Sequence, residues 1–162
     1  MIWEGELARE FWENGKSDSC PVIDMHGHMG PFSGIWFPRE SAEAMIRSMD
    51  SAGVRLLAFS PHGSLSSPDV GNAPAIEAAR AHPGRLKAML VVNPHAPGDI
   101  DRMLDGWDDA KDVCAGFKCH PSWHKMAIYG DAYEPVLSFA EKRGLPVTTH
   151  TWGAMSFAAW RR

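Results

Sequence analysis

Five short apolar runs rich in β-branched residues punctuate the chain: Pro21 to Met25, Val54 to Phe59, Leu86 to Val92, Val113 to Lys118 and Pro146 to Thr149, spaced by about 30 residues. Their apolar character is nearly continuous, without the alternation of a half-exposed strand, and that predicts parallel strands buried on both faces. The segments between them have helical periodicity. Across Glu40 to Ser51, Ala42, Met45, Ile46 and Met49 recur at the three-and-four spacing of one helical face, and Gly53 follows as a stop. Further helices are predicted over Ala73 to Ala81, Asp99 to Asp109 and Tyr133 to Arg143; the last ends at Gly144, and Pro146 cannot continue it. Ahead of all of them, Trp3 to Asn14 carries Trp3, Leu7, Phe11 and Trp12 and predicts an amphipathic helix that caps the bottom or an edge of the molecule.

Strand and helix alternate, which is the signature of a parallel sheet with right-handed crossovers. A doubly wound open sheet would place a glycine-rich turn after its first strand. Here that turn is Met25-His26-Gly27-His28-Met29-Gly30, and histidines at a strand's carboxyl end suit a closed barrel, whose functional groups sit on strand ends. The expected fold is therefore α/β, a TIM-type (β/α)8 barrel. It is incomplete: five strands and four intervening helices are present, where a full barrel has eight of each in about 250 residues. We read residues 1–162 as a single partial barrel domain, with residues 1–18 as the N-terminal helix and linker and residues 19–162 carrying strands one to five. The closing stretch Ser156 to Arg162 has neither a helix stop nor a polar tail, so a fragment of a longer chain is expected.

Composition narrows the classes. With 44% hydrophobic and 22% charged residues, the chain reads as a globular domain. A net charge of -4 without a Lys/Arg stripe gives no footprint for nucleic acid, and no apolar run is long enough to span a membrane. With no secretory leader pattern, a cytoplasmic location is expected. Cys20, Cys114 and Cys119 are odd in number and lack Cys-x-x-Cys spacing, and are expected as buried, reduced thiols. No Gly-x-Ser-x-Gly elbow is present, so nothing supports a serine nucleophile.

The eight histidines carry the candidate chemistry. Side chains two apart on a strand point the same way, so His26 and His28 project together and can share one metal ion. Asp24 has the same parity and could orient a ligand histidine by accepting its other ring proton. A bare His-x-His also fits two polar residues at a loop mouth; its place after an apolar strand, with Asp24 before it, favours ligands. Lys118 and His120 share a face of the fourth strand and form the candidate catalytic pair. A buried lysine is costly unless paired, and for His120 pocket lining and loop packing are both open. His62, His95 and Trp123 follow strand ends, and Trp36 and Trp152 lie beside the candidate ligands, so these five are expected to line a substrate pocket able to stack a planar molecule. His124 could join that wall. His82 follows a helix and is expected on the opposite face.

Three segments together resemble a known family. Val22-Ile-Asp-Met-His-Gly-His28 is similar to the opening strand of the amidohydrolase superfamily, in particular the amidohydrolase-related (amidohydrolase 2) group of hydrolases and non-oxidative decarboxylases. Gly116-Phe-Lys-Cys-His-Pro121 resembles its fourth strand, and Leu145-Pro-Val-Thr-Thr-His-Thr151 its fifth. The likeness runs over about residues 21–153. It implies that His26, His28 and His150 bind a divalent ion, zinc first and manganese or iron as alternatives. The family also uses a histidine ending the sixth strand and an aspartate ending the eighth, for which these residues offer no position; Asp24, Asp69 and Asp131 end no late strand and do not substitute. Lys118 would line the pocket, or bridge two ions as a carbamate. An ion held by neutral imidazoles activates water and polarises a carbonyl, so hydrolysis of a small-molecule amide, ester or lactone is the expected activity. Decarboxylation of an aromatic or enoic acid is the alternative, and an inert partial barrel whose open edge favours pairing as a homo-oligomer is the third reading.

Overall fold

The computed structural model describes residues 4–32 and 34–151. Five strands, β1 (Val22–Met29), β2 (Val54–Pro61), β3 (Leu86–Val92), β4 (Cys114–Cys119) and β5 (Val147–Thr149), form one sheet in the order β1-β2-β3-β4-β5. Every neighbouring pair is parallel. Among the described residues each strand pairs only with its sequence neighbours, and the crossings run through helices, so the sheet curls into half of a TIM-type barrel. The apolar runs become strands because both faces are covered. Phe59, Val92, Phe117 and Cys119 are fully buried, and burying each large side chain stabilises the fold by about 1.5–3 kcal/mol.

The helices follow the periodicity with informative shifts. α2 (Ala42–Ala52) starts where the Ser41 hydroxyl accepts the Ala44 N–H and ends at Gly53 in a left-handed conformation; Met45 and Met49 are its buried face. After β2, a 3-10 turn (His62–Leu65) leads into α3 (Pro68–Ala81). The expected start at Ala73 was too late, because proline suits the first turn of a helix, where its missing N–H is no loss. The single helix expected over Asp99 to Asp109 is two, α4 (Pro97–Asp105) and α5 (Trp107–Ala110), which meet at Gly106. A short α6 (Pro121–His124) follows β4, and α7 (Glu134–Arg143) leads to β5.

α1 (Glu6–Asn14) corrects the expected cap: it buries none of its residues, and Leu7, Phe11 and Trp12 stay exposed. What fastens it is Glu10, whose carboxylate accepts from the hydroxyls of Ser17 and Ser19 and the N–H groups of Asp18 and Ser19. Those bonds hold the Glu10 carboxyl at about 2. Cys20 is also corrected. It lies in this surface linker and is exposed, while Cys114 and Cys119 are buried as expected, and burial pushes their thiols up to about 11 and about 12.

On its β2 side, β3 is held unusually. The pairing of β2 with β3 covers only Leu57 to Phe59 against Leu86 to Ala88. Further along, the buried Asn72 of α3 takes over: its amide donates to the Val91 carbonyl and its oxygen accepts the Val91 N–H, both at 3.0 Å. One side chain thus satisfies two backbone groups that a strand neighbour would otherwise pair.

Candidate active site

β1 runs through both histidines to Met29 instead of ending at Met25. Its register with β2 slips between Asp24 and Gly27: Asp24 is opposite Leu57 and Gly27 opposite Phe59, three steps against two. That bulge inserts one residue at the candidate ligands, a device that re-aims side chains at a barrel rim. At Gly27 between them a Cβ would come within 2.7 Å of the Leu57 side chain, so a larger residue there would have to push Leu57 aside. The rings of His26 and His28 meet edge to face with centroids 4.9 Å apart.

A cavity of about 280 Å³ opens at the carboxyl ends of the strands, with His28, Ser60, His62, Lys118, His120 and His150 among its lining residues. The sequence thus placed four of its candidate histidines and its lysine at one mouth. Lys118 is the centre. It is 2% exposed, its Nζ lies 3.4 Å from Nε2 of His26, and burial lowers its pKa. No carboxylate pairs with it in an ion pair among the described residues. His120 and His150 stack at 4.0 Å, and His28 and His62 at 4.5 Å. Burial, then neighbouring imidazoles and Lys118, drive both His28 and His120 down to about 4. Burial, then Lys118, lowers His26 and His150 as well. At neutral pH these rings are uncharged and keep a lone pair.

Hydrogen bonds decide which nitrogen carries it. Nδ1 of His120 accepts the N–H of Trp123 at 3.2 Å; a backbone N–H can only donate, so the neutral ring has its proton on Nε2 and serves as a donor. Lys118 donates to Nε2 of His26, which leaves that proton on Nδ1. His62 donates Nδ1–H to the Gly30 carbonyl at 3.0 Å.

Several expected residues sit elsewhere. The Asp24 carboxylate accepts the backbone N–H of His26 at 2.9 Å, where a ring N–H was expected. Trp36 is 87% exposed on the loop after β1; its neighbour Ile35 reaches the cavity instead. His95 is drawn away by the bond from its Nε2 to the His124 carbonyl, 2.7 Å. His124 is buried, bonded through Nε2 to the Leu65 carbonyl and through Nδ1 to the Tyr133 hydroxyl, so it braces α6 against the turn after β2 and forms no pocket wall. Trp123 does line the cavity, against Phe32 at 5.7 Å. Trp152 lies outside the described residues.

Sequence reasoning missed Phe32, Ile35 and Ser60. Ser60 ends an apolar run and is opposite His28 in the register; only the strand pairing reveals it.

Neutral imidazole is a good donor for divalent zinc, manganese or iron, so the chemistry of this set suits such an ion. Among the described residues, no three His, Cys, Asp or Glu side chains are gathered closely enough to hold one. His26 meets Lys118 at the nitrogen a cation would use.

A curled parallel sheet with its polar side chains at the carboxyl ends defines the barrel class of enzyme scaffold. The sequence matches no family model and no curated protein. Among solved structures, it is similar to 5-carboxyvanillate decarboxylase from Novosphingobium aromaticivorans, complexed with manganese and 4-hydroxy-3-methoxy-5-nitrobenzoic acid (TM-score 0.62, 12% identity, 82% of this chain and 51% of that one). It is also similar to 2,6-dihydroxybenzoate decarboxylase from Rhizobium (0.62, 13%, 82% and 50%). A third likeness is to a probable 2-pyrone-4,6-dicarboxylic acid hydrolase from Acinetobacter baumannii with citric acid bound (0.55, 15%, 81% and 49%). The chain spans about half the length of the structures it matches, and at these identities the likeness is one of fold.

Proposed function

We propose that this chain supplies the metal-binding half of an amidohydrolase-type enzyme acting on a small organic molecule, with His26, His28 and His150 as ligands that close in around the ion, which would take the place of the Lys118 ammonium at Nε2 of His26. One observation carries the reading: His28 of β1 and His120 and His150, just beyond β4 and β5, line one cavity, with pKa values lowered by burial. A divalent ion there would supply Lewis-acid polarisation of a carbonyl or carboxylate. The remaining roles belong to the chain. Lys118, a buried cation facing the cavity, holds the oxygen on which negative charge develops. His120, with its proton on Nε2, donates a hydrogen bond to the same substrate. Phe32 and Trp123 shield the cavity from water and pack on the substrate's apolar part.

Hydrolysis of an ester, lactone or amide is the leading reaction. Decarboxylation is the second reading, favoured by Lys118: a buried cation without a carboxylate counter-charge is suited to an anionic substrate. The purified chain is expected to bind zinc or manganese near one equivalent by elemental analysis, and His28→Asn and His150→Asn to lose it. Lactone turnover against carbon dioxide release from a hydroxybenzoate then separates the two reactions. A chain that takes up neither metal overturns the proposal and leaves an inert half-barrel.

A further inference from the structure

His26 is engaged by Lys118, and the Nδ1 of His120 is occupied by the Trp123 N–H, so of the strand-end imidazoles His28 has the contacts that matter most for presenting a free nitrogen. Its surroundings are built on β2. Ser60, 4% exposed, is directly opposite His28 in the β1–β2 register, and its hydroxyl lies 3.3 Å from Nδ1 of His28. On the ring's flat face, His62 stacks with centroids 4.5 Å apart and planes 13° apart. His62 is itself pinned by its bond to the Gly30 carbonyl. One partner fixes the edge of the imidazole and the other fixes its plane.

We infer that Ser60 is a positioning residue for His28: its hydroxyl accepts the Nδ1–H, which selects that tautomer and leaves the lone pair on Nε2, where it would be free for a cation. A histidine ligand's second nitrogen almost always donates to a fixed acceptor, and loss of that acceptor weakens metal binding about 10–100-fold. Asp24 was the residue expected from the sequence to fill this place for one of the histidines; its carboxylate is taken by the His26 backbone N–H. The hydroxyl of Ser60 is instead in contact with a ring nitrogen of His28. The inference rests on the metal-binding proposal for its purpose, but the tautomer is a property of the metal-free chain and can be read there.

Long-range proton–nitrogen correlation spectra of the metal-free protein report the tautomer of each histidine. The expected result is His28 with its proton on Nδ1 in the wild type, and a shift toward Nε2–H in Ser60→Ala. Ser60→Thr, which keeps the hydroxyl, retains the wild-type pattern. Zinc affinity, measured by chelator competition, is expected to fall about 10–100-fold in Ser60→Ala and to return in Ser60→Thr. A His28 that carries its proton on Nε2 in the wild type, or a Ser60→Ala spectrum unchanged from it, overturns the inference. If Ser60→Ala fails to fold, Ser60→Cys, whose sulfur is a weak acceptor, gives the same readout. A wild type with Nδ1–H on His28 and a Ser60→Ala variant shifted toward Nε2–H, neither of which binds zinc, overturns the metal site while supporting Ser60 as the residue that orients His28.

Discussion

Burial has placed titratable rings where protonation is unfavourable, and this gives the metal-free chain an acid-sensitive site. His28 and His120 ionise at about 4 in the folded state, against an ordinary value of 6.5. A base whose folded pKa is depressed binds fewer protons folded than unfolded between those two values, so stability rises with pH through that window and is lost as pH falls from about 6.5 to about 4. At 1.36 kcal/mol per unit the ceiling is roughly 3 kcal/mol per ring, and partial exposure brings it nearer ~1 kcal/mol. Denaturant midpoints of the metal-free chain are therefore expected to drop across this range, and His28→Asn with His120→Asn to flatten the slope; an unchanged slope in the double variant would show the acid sensitivity to lie elsewhere. At this scale the sequence was legible wherever a residue type is unusual for its place. His26, His28, Lys118, His120 and His150 stand out as polar groups ending apolar runs, and all but His26 line the same cavity, with His26 in contact with Lys118. Ser60 was invisible because a serine at a strand end is unremarked until the opposing strand brings a ring nitrogen to 3.3 Å. Trp36 misled because proximity in sequence to His28 says nothing about which way a loop side chain turns.

The elements were legible in proportion to how far their own residues determine them. All five strands formed, because continuous apolar character leaves a segment few alternatives to burial on both faces. α2 was clear because its apolar stripe and glycine stop agree. α3 was not, since Gly71 and Pro74 argue against a helix locally; they are tolerated because packing decides. A Cβ on Gly71 would lie 2.2 Å from the Ser64 hydroxyl, so the helix passes too close to the preceding turn for any side chain there. The same helix delivers Asn72 to β3, and its two bonds to Val91 are expected to be the most valuable polar contacts in the sheet. Asn72→Ala would strand a buried N–H and a buried carbonyl, at about 1–3 kcal/mol for each unsatisfied group. A loss of roughly 2–5 kcal/mol in chemical denaturation, with faster hydrogen exchange at the Val91 amide, is the expected result. A loss below about 0.5 kcal/mol would mean that β2 closes onto β3 and replaces the side chain.

For the molecule as a whole, the half-barrel architecture was readable from strand count and period, and an incomplete barrel already implies an open edge. Among the described residues β1 pairs only with β2, and Ile23 and Met25 on it are exposed, an edge of the kind that invites pairing with another chain. Among the described residues no helix is long and apolar enough to cross a membrane, so this apolar surface needs another explanation than a span. Replacing Ile23 and Met25 with lysine is expected to lower self-association, read by light scattering against concentration, with little change in the melting temperature; equal scattering would clear the edge of that role. The placement of α1 escaped the sequence too, since the amphipathic pattern of Leu7 and Phe11 implies a covered face and the helix is instead fastened through Glu10. The sheet order has one more implication. Since every ladder joins consecutive strands, no hydrogen-bonded pair has to wait for a distant part of the polypeptide, and loop-closure entropy stays low at each step. A chain emerging from the ribosome can therefore add one βα unit at a time to a growing edge, so that β1 and β2, with the two histidines and Ser60 between them, are joined before the lysine on β4 has been translated.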